Sequence, residues 1–545
     1  MMIGLQHALT MSTNIITPAI LVMNVTMSFF PEQFDPELGA EQAENRERTL
    51  DIVQYLVSAS LICSGLMTMI QVSVIPIPFT NYQLGTGVLS TMGTVNQYNA
   101  IFPIILQDIM SRGYSITEAW GKVLGTIMLC VWLEAFIAFV PSKTLKRIFP
   151  TYVLGVTVTM IGVQLTGAGI RFWGGGVGCS RNPNDAICPG NGDVRLAYGS
   201  GPYVAMGFAV FLIFLVVEIF GSPFMRNTMV IWGLLGGFFI ASLSEHDGEA
   251  FVTNDRMRDS DIFTFLWVET FPIGIHGPAI IPMLFAFVVT AMETMGDVTA
   301  TEHASRLNPT DEQHAKRIQG GLLGDAIGTF FAALGTTTPN TTLSQNNGIV
   351  ALTRCASTDA GMACGCWLLI FGTIAKIGAW ILSIPDCVLG GALTFLFANI
   401  IVSGIKLIGF ERIDRRTHYI VATSLALGVG TALVPAFSSP GIGAAAARPN
   451  QWWPYNEDMS DALDSFRIGC MISINTPYFI GSITAIILNL IIPTDLIDDA
   501  EIEAEETWHL KQGGEGDDEN DAKQLSSEKD ENEKDVSVHS AKQEA

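Results

Sequence analysis

TTLSQNNGIVALTRCA, residues Thr341 to Ala356, places Gln345, Asn346 and Asn347 side by side in a chain that is otherwise strongly apolar. The apolar run at 341–353 is too short to cross a bilayer as a helix, which takes about 20 residues. TTTPNTT leads into it: Pro339 breaks helix continuity, and Thr337, Thr338 and Thr341 tolerate extended backbone. The stretch therefore predicts an extended entry followed by a half-helix, with three carboxamides at the junction.

The rest of the chain sets the environment of that junction. Of its 545 residues 49% are hydrophobic and only 15% charged, and long apolar runs recur from residue 3 to residue 492. At one span per twenty residues this predicts an all-α polytopic membrane protein of about fourteen spans. The net charge of -23 is concentrated beyond Asp495, in DDAEIEAEETWHL and GDDENDAKQ, which read as a disordered acidic tail over 494–545. Lys143, Lys146 and Arg147, the loop ASRLNPTDEQHAKRIQG, and Lys406, Arg412, Arg415 and Arg416 fall on one side of such a topology. Asp35, Glu37, Glu41, Glu44, Asp255, Asp259 and Asp261 fall on the other. Basic loops stay cytoplasmic, so both termini are expected there. The first span opens at residue 3 without a hydrophilic leader or a cleavable signal, so a cytoplasmic segment is expected ahead of it.

The third span, 84–110, is interrupted like the tenth: VIPIPFTNYQLGTGVLSTMG carries Pro76, Pro78, Gly85, Gly87 and Gly93. Third and tenth hold the same ordinal position in two sets of seven, and matching broken segments are the signature of an inverted-repeat transporter with its site where they meet. Two half-helix N-termini then face each other with unpaired N–H groups. Asn346 and Asn347 read equally as helix caps or as ligands; Gln345, a poorer cap, reads as a ligand. Gln6 and His7 lie in the first span, Glu293 and Asp297 on one face of the eighth, and Asp325 in the ninth. His7 alone reads as a satisfied core histidine, but ionisable groups at membrane depth are expensive, and the set together points to a pathway.

Nine cysteines are scattered, and only Cys179 and Cys188 share a loop, where a structural disulfide and free thiols stand as equal readings. GGGVG in that loop follows no strand and reads as a bend. The glycosylation sequons at Asn24 and Asn340 sit in or at the ends of spans and are expected to stay unused. Nothing calls for a cofactor, a metal or a nucleic-acid partner.

GLQHAL, AMETMGD, GDAIGTFF and above all SQNNGIVALTR resemble the nucleobase-ascorbate transporters, with the fungal xanthine and uric acid permeases nearest. The resemblance covers the chain apart from its tail. It implies a core domain (1–140 and 274–382) carrying substrate past a gate domain (141–245 and 385–493) in an elevator motion, within a plasma-membrane homodimer surrounded by lipid. It implies purine binding by Gln345 and Glu293 with Ser344 and Asn96. It gives site-shaping and coupling roles to Asn346, Asp325, Asp297, Gln6, His7, Gly348, Thr353 and Arg354, and a specificity gate to Thr476 and Tyr478. A carboxamide at 345 fits, since it offers a donor and an acceptor to a purine edge. The coupling ion implied is a proton, with sodium the runner-up. Glu501, Glu503, Glu505 and Glu506 resemble a signal that recruits arrestin-like adaptors, with a ubiquitin ligase acting on Lys511 or Lys523; a plain solvated tail is the alternative. Two family aromatics are replaced, by Asn96 and Leu343, which leaves the particular purine open. Competing readings are an anion transporter, disfavoured by the acidic site, an intramembrane aspartyl protease, which needs far fewer spans, and a non-transporting sensor.

Overall fold

The structure is a computed structural model that describes residues 1–12, 15, 40–80, 82–95, 98–99, 101–176, 187–189, 194–252, 257–258, 260–307, 310–343, 346, 349–350, 353–409, 413–434 and 460–493. Among the described residues six helices are long and apolar enough to cross a bilayer, and a seventh span results if one bent pair is counted. The longer elements run in chain order as α1 (2–12), α2 (Ala40–Gln71), β1 (Met92–Thr94), α3 (Phe102–Ser111), α4 (Ile116–Cys130) and α5 (Trp132–Ile137). There follow α6 (Thr151–Trp173), α7 (Gly201–Phe220), α8 (Met229–Ser242), α9 (Ile280–Ala304), α10 (Asp311–Leu334) and β2 (Asn340–Thr342). The last are α11 (Thr358–Thr373), α12 (Ala375–Leu382), α13 (Asp386–Ile408), α14 (Arg415–Leu433), α15 (Asp461–Ile474) and α16 (Pro477–Ile491).

Local sequence sets the helix ends. Ser115 starts α4 with a capping box, its hydroxyl taking the Glu118 N–H while the Glu118 carboxylate accepts the Ser115 N–H at 3.0 Å. Thr310 and Gln313 repeat the device ahead of α10. Pro477 lacks the N–H that would continue α15, and α15 and α16 meet at 86°.

The decisive feature is the pairing of β1 with β2. The strands run antiparallel, with Met92 opposite Thr342, Gly93 opposite Thr341 and Thr94 opposite Asn340, and all six residues are buried. Val95 N–H to Pro339 C=O at 2.9 Å and Leu343 N–H to Thr91 C=O at 3.0 Å extend the ladder at both ends. Each interrupted segment supplies the other's backbone partners, which answers the bilayer's demand that no backbone polar group be left over. Asn340, one of the two sequons, is 1% exposed and inaccessible to glycosylation.

Two helix pairs pack backbone to backbone. In α6 and α13 a Cβ on Gly162 would stand 2.7 Å from Ile401 N, and one on Gly390 would stand 2.0 Å from Trp173 N. In α2 and α11 a Cβ on Gly65 would lie 2.8 Å from Gly365 O. Small residues at such seams let helices approach closely where no hydrophobic force drives them together. By its contacts the chain divides into two compact units, Met1–Arg412 with Ile420–Leu490, and Ile413–Tyr419 with Ile491–Ala545. The proposed tail and Cys179 lie outside the described residues, and the seven described cysteines given a state, Cys63, Cys130, Cys355, Cys364, Cys366, Cys387 and Cys470, are free thiols.

Candidate functional site

Threonines of β2 tie the strand to carboxylates on α9 and α10. Thr341 donates to Asp325 at 2.8 Å and Thr342 donates to Asp297 at 3.0 Å. Asp325, fully buried on α10, also accepts from Thr294 of α9 and, at 3.4 Å, from Gln71 Nε2 at the end of α2. Gln71 reaches it because residue 324 is glycine: a Cβ there would stand 1.9 Å from Gln71 Oε1. Asp325 thus joins three elements through one carboxylate supplied with donors, as a buried charge requires. Thr329 fixes the start of the same strand, its hydroxyl donating to Asn340 C=O at 2.8 Å.

The first span closes on the same region. His7 is fully buried and Gln6 is 9% exposed. The His7 ring lies against the Asn346 side chain, with neither ring nitrogen in a full hydrogen bond to a described residue. Asn346 in turn donates to Leu89 C=O, joining the start of the half-helix after β2 to the segment before β1. Glu293 is half-buried on α9, one turn before buried Asp297, so the two acids stand on one side of the helix. Thr353 is half-buried and Arg354 exposed; Arg354 takes a left-handed φ of 54°, which ends the half-helix. Asn96, Ser344, Gln345, Asn347 and Gly348 lie outside the described residues.

Thr476 and Tyr478 sit at the α15–α16 bend, each 1% exposed, and the Thr476 hydroxyl donates to Ile472 C=O at 2.8 Å. Tyr478 lies in the electrostatic neighbourhood of Tyr98, which sequence reading passes over. Tyr98 is fully buried beside Phe102 and Phe287, at ring-centroid separations of 5.1 and 5.5 Å. An aromatic cluster therefore stands two residues past Asn96. Gln71, the bonding threonines 294 and 342, and Glu134 are also absent from the sequence reading, which names Thr341 only for its extended backbone. A lone acid in the apolar run CVWLEAFIAFV is the signal that marks Glu134.

The arrangement contains two acids bonded to a buried strand crossing, a histidine beside the Asn346 amide at a broken-helix end, and no group of three or more metal-ligating side chains among the described residues. A family profile described as Permease family matches residues 41–437. The uric acid-xanthine permease of Emericella nidulans is 34% identical over 505 residues, covering 91% of this chain and 81% of the relative. The xanthine permease XanP of Escherichia coli K12 is 27% identical over 495 residues, covering 90% of this chain and 91% of the relative. Among solved structures, the transmembrane domain of the cyanobacterial bicarbonate transporter BicA superposes with a TM-score of 0.50 at 12% identity, covering 79% of this chain and 97% of that one. That likeness shows a helical polytopic membrane-transporter fold. With the family profile and the curated relatives in agreement, this chain belongs to the nucleobase-ascorbate transporter family and is a multi-pass membrane permease, not an enzyme.

Proposed function

We propose that the protein is a proton-coupled plasma-membrane permease for purine nucleobases of the xanthine and uric acid class. The observation that carries this reading is the β1–β2 crossing, which leads directly into the Ser344–Gly348 motif and is hydrogen-bonded to Asp297 and Asp325. Relatives named as xanthine and uric acid-xanthine permeases supply the substrate class. Gln345 and Glu293 bind the base, with Ser344 and Asn96 beside them. Glu293 takes a proton from the acidic outside and releases it to the cytoplasm, and a neutral Glu293 no longer opposes the partial negative charge of a purine carbonyl. Proton and substrate then strengthen each other's binding by the same factor.

Fourteen spans in two inverted sets of seven account for the packing. The third span pairs with the tenth through β1 and β2, and the fifth packs on the twelfth through α6 and α13, each pair seven ordinals apart. Core spans carry the bound base past the gate spans in an elevator motion within a homodimer; both termini are cytoplasmic, and the acidic tail recruits adaptor and ubiquitin ligase. The test is uptake of radiolabelled xanthine and uric acid, across external pH and without sodium, in fungal cells lacking their own purine permeases. Saturable uptake that rises as pH falls is expected. No uptake of either base sinks the substrate reading, and sodium-dependent, pH-independent uptake sinks the proton assignment.

A further inference from the structure

Three buried carboxylates among the described residues stand outside the site above: Asp108, which faces His276 and Arg112, Glu302, which faces His314 and Arg317, and Glu134, which faces no basic group. Glu134 lies on α5, which packs against both α9 and α10. It is 1% exposed, and its Oε1 has no hydrogen-bond partner among the described residues. Two groups act on it: the Thr290 hydroxyl on α9, within hydrogen-bonding reach, and the charge of Asp325 on α10. Tyr98, whose hydroxyl is likewise without a described partner, approaches the same Thr290, with Cys130 and Tyr478 behind it. No described cationic side chain pairs with Glu134.

The geometry decides which of the two acids carries the charge. Asp325 is supplied with donors by Gln71, Thr294 and Thr341. Thr290 spends its own hydrogen on Phe287 C=O at 3.0 Å, so it turns lone pairs toward Glu134 and Tyr98. A carboxylate facing lone pairs is repelled; a carboxylic acid donates to them. Two adjacent carboxylates in a dry interior do not both stay charged, and here the donors surround Asp325.

We propose that Glu134 is a proton-carrying residue of the transport cycle, holding a proton in this arrangement and passing it to Asp325 when β2 shifts. This inference rests on the proton-coupled reading above. Thr341, one of the Asp325 donors, stands three residues before the Ser344–Gly348 motif, so substrate that displaces β2 removes a donor and leaves Asp325 the better proton acceptor. The step is balanced: the Glu134 O–H bond breaks and an Asp325 O–H bond forms; Asp325 then gives that proton to water on the cytoplasmic side, and Glu134 regains one from outside water when the cycle reopens.

The experiment compares wild type, Glu134→Gln, Glu134→Asp and Thr290→Val in proteoliposomes, with radiolabelled xanthine as probe. Accumulation driven by a pH gradient is measured beside equilibrium exchange without one. Glu134→Gln is expected to lose about tenfold in accumulation and to flatten the pH profile, with exchange persisting because Gln mimics the neutral acid. Glu134→Asp restores part of the pH dependence, and Thr290→Val shifts the profile. Glu134→Gln with the wild-type profile overturns the role of Glu134 while leaving proton coupling intact. Loss of exchange and accumulation together in both Glu134 variants also overturns it, since the residue then only packs helices. A wild type indifferent to the pH gradient overturns the proton-coupled reading and this inference with it. Should Glu134→Gln fail to reach the membrane, the protonated-carboxyl infrared band of purified wild type, compared with Glu134→Asp, decides: a band that moves in the Asp variant and responds to substrate is required.

Discussion

Thr341 donates a hydrogen bond of 2.8 Å to Asp325, so the strand that opens the tenth-span motif hangs from a carboxylate one helix away. The bond makes Asp325 a fastening for the site, with its donors drawn from α2, α9 and β2. Asp325→Asn turns an acceptor toward some of those donors and an N–H toward others. Each mismatched buried bond costs about 1 to 3 kcal/mol. The variant is expected to melt earlier in detergent and to transport little even where it reaches the membrane; unchanged melting and uptake would contradict the fastening role.

Gln345→Ala removes the carboxamide proposed to pair with the purine edge. Weakened apparent affinity by roughly 1 to 3 kcal/mol, at undiminished surface amount, is the expected outcome. Unaltered affinity in a competition assay places the ligand elsewhere.

Glu293→Gln fixes the eighth-span acid in a neutral-like form. It should bind substrate but neither concentrate it nor respond to external pH, whereas wild type accelerates as pH falls. Concentrative, pH-driven uptake by this variant moves the coupling proton off Glu293.

Thr476 holds the α15–α16 bend through its bond to Ile472. If the bend filters entering bases, Thr476→Ala widens the range of bases taken up and leaves affinity for the native one nearly unchanged, because the core site is untouched. A collapse of native affinity would assign Thr476 to the binding site.

Gly162→Leu drives a side chain into the backbone of Ile401 across the α6–α13 seam, where even a Cβ would stand 2.7 Å from the amide nitrogen. Reduced surface expression and thermal stability are expected, with the apparent affinity of surviving protein preserved. A stable variant with altered affinity would mean the seam belongs to the substrate path.

Sequence made the broken spans legible because proline, threonine and short apolar length are local properties, and Pro339 with Thr341 predicts the extended entry that β2 adopts. Asp297 and Asp325 were legible because acids in apolar runs stand out. Gln71, Thr290 and Thr294 were not, since a neutral polar residue in a helix costs little to place and gains meaning only from a partner distant in sequence. Tyr98 hid for a related reason: an aromatic in an apolar stretch looks like packing until its hydroxyl is seen buried. Thr476 and Tyr478 were found through resemblance, while the 86° bend that positions them follows from Pro477, which was in plain view.

The β1–β2 ladder joins residues roughly 250 positions apart. At a synthesis rate on the order of 5 to 20 residues per second, the first strand emerges tens of seconds before its partner exists. For that interval the backbone of Met92–Thr94 must be kept wet or held by the insertion machinery, since lipid offers it nothing to bond. Synthesis of β2 therefore sets a quality checkpoint during biogenesis: a chain stalled before Asn340 carries an open polar seam that degradation machinery can recognise, and only one that reads past it seals.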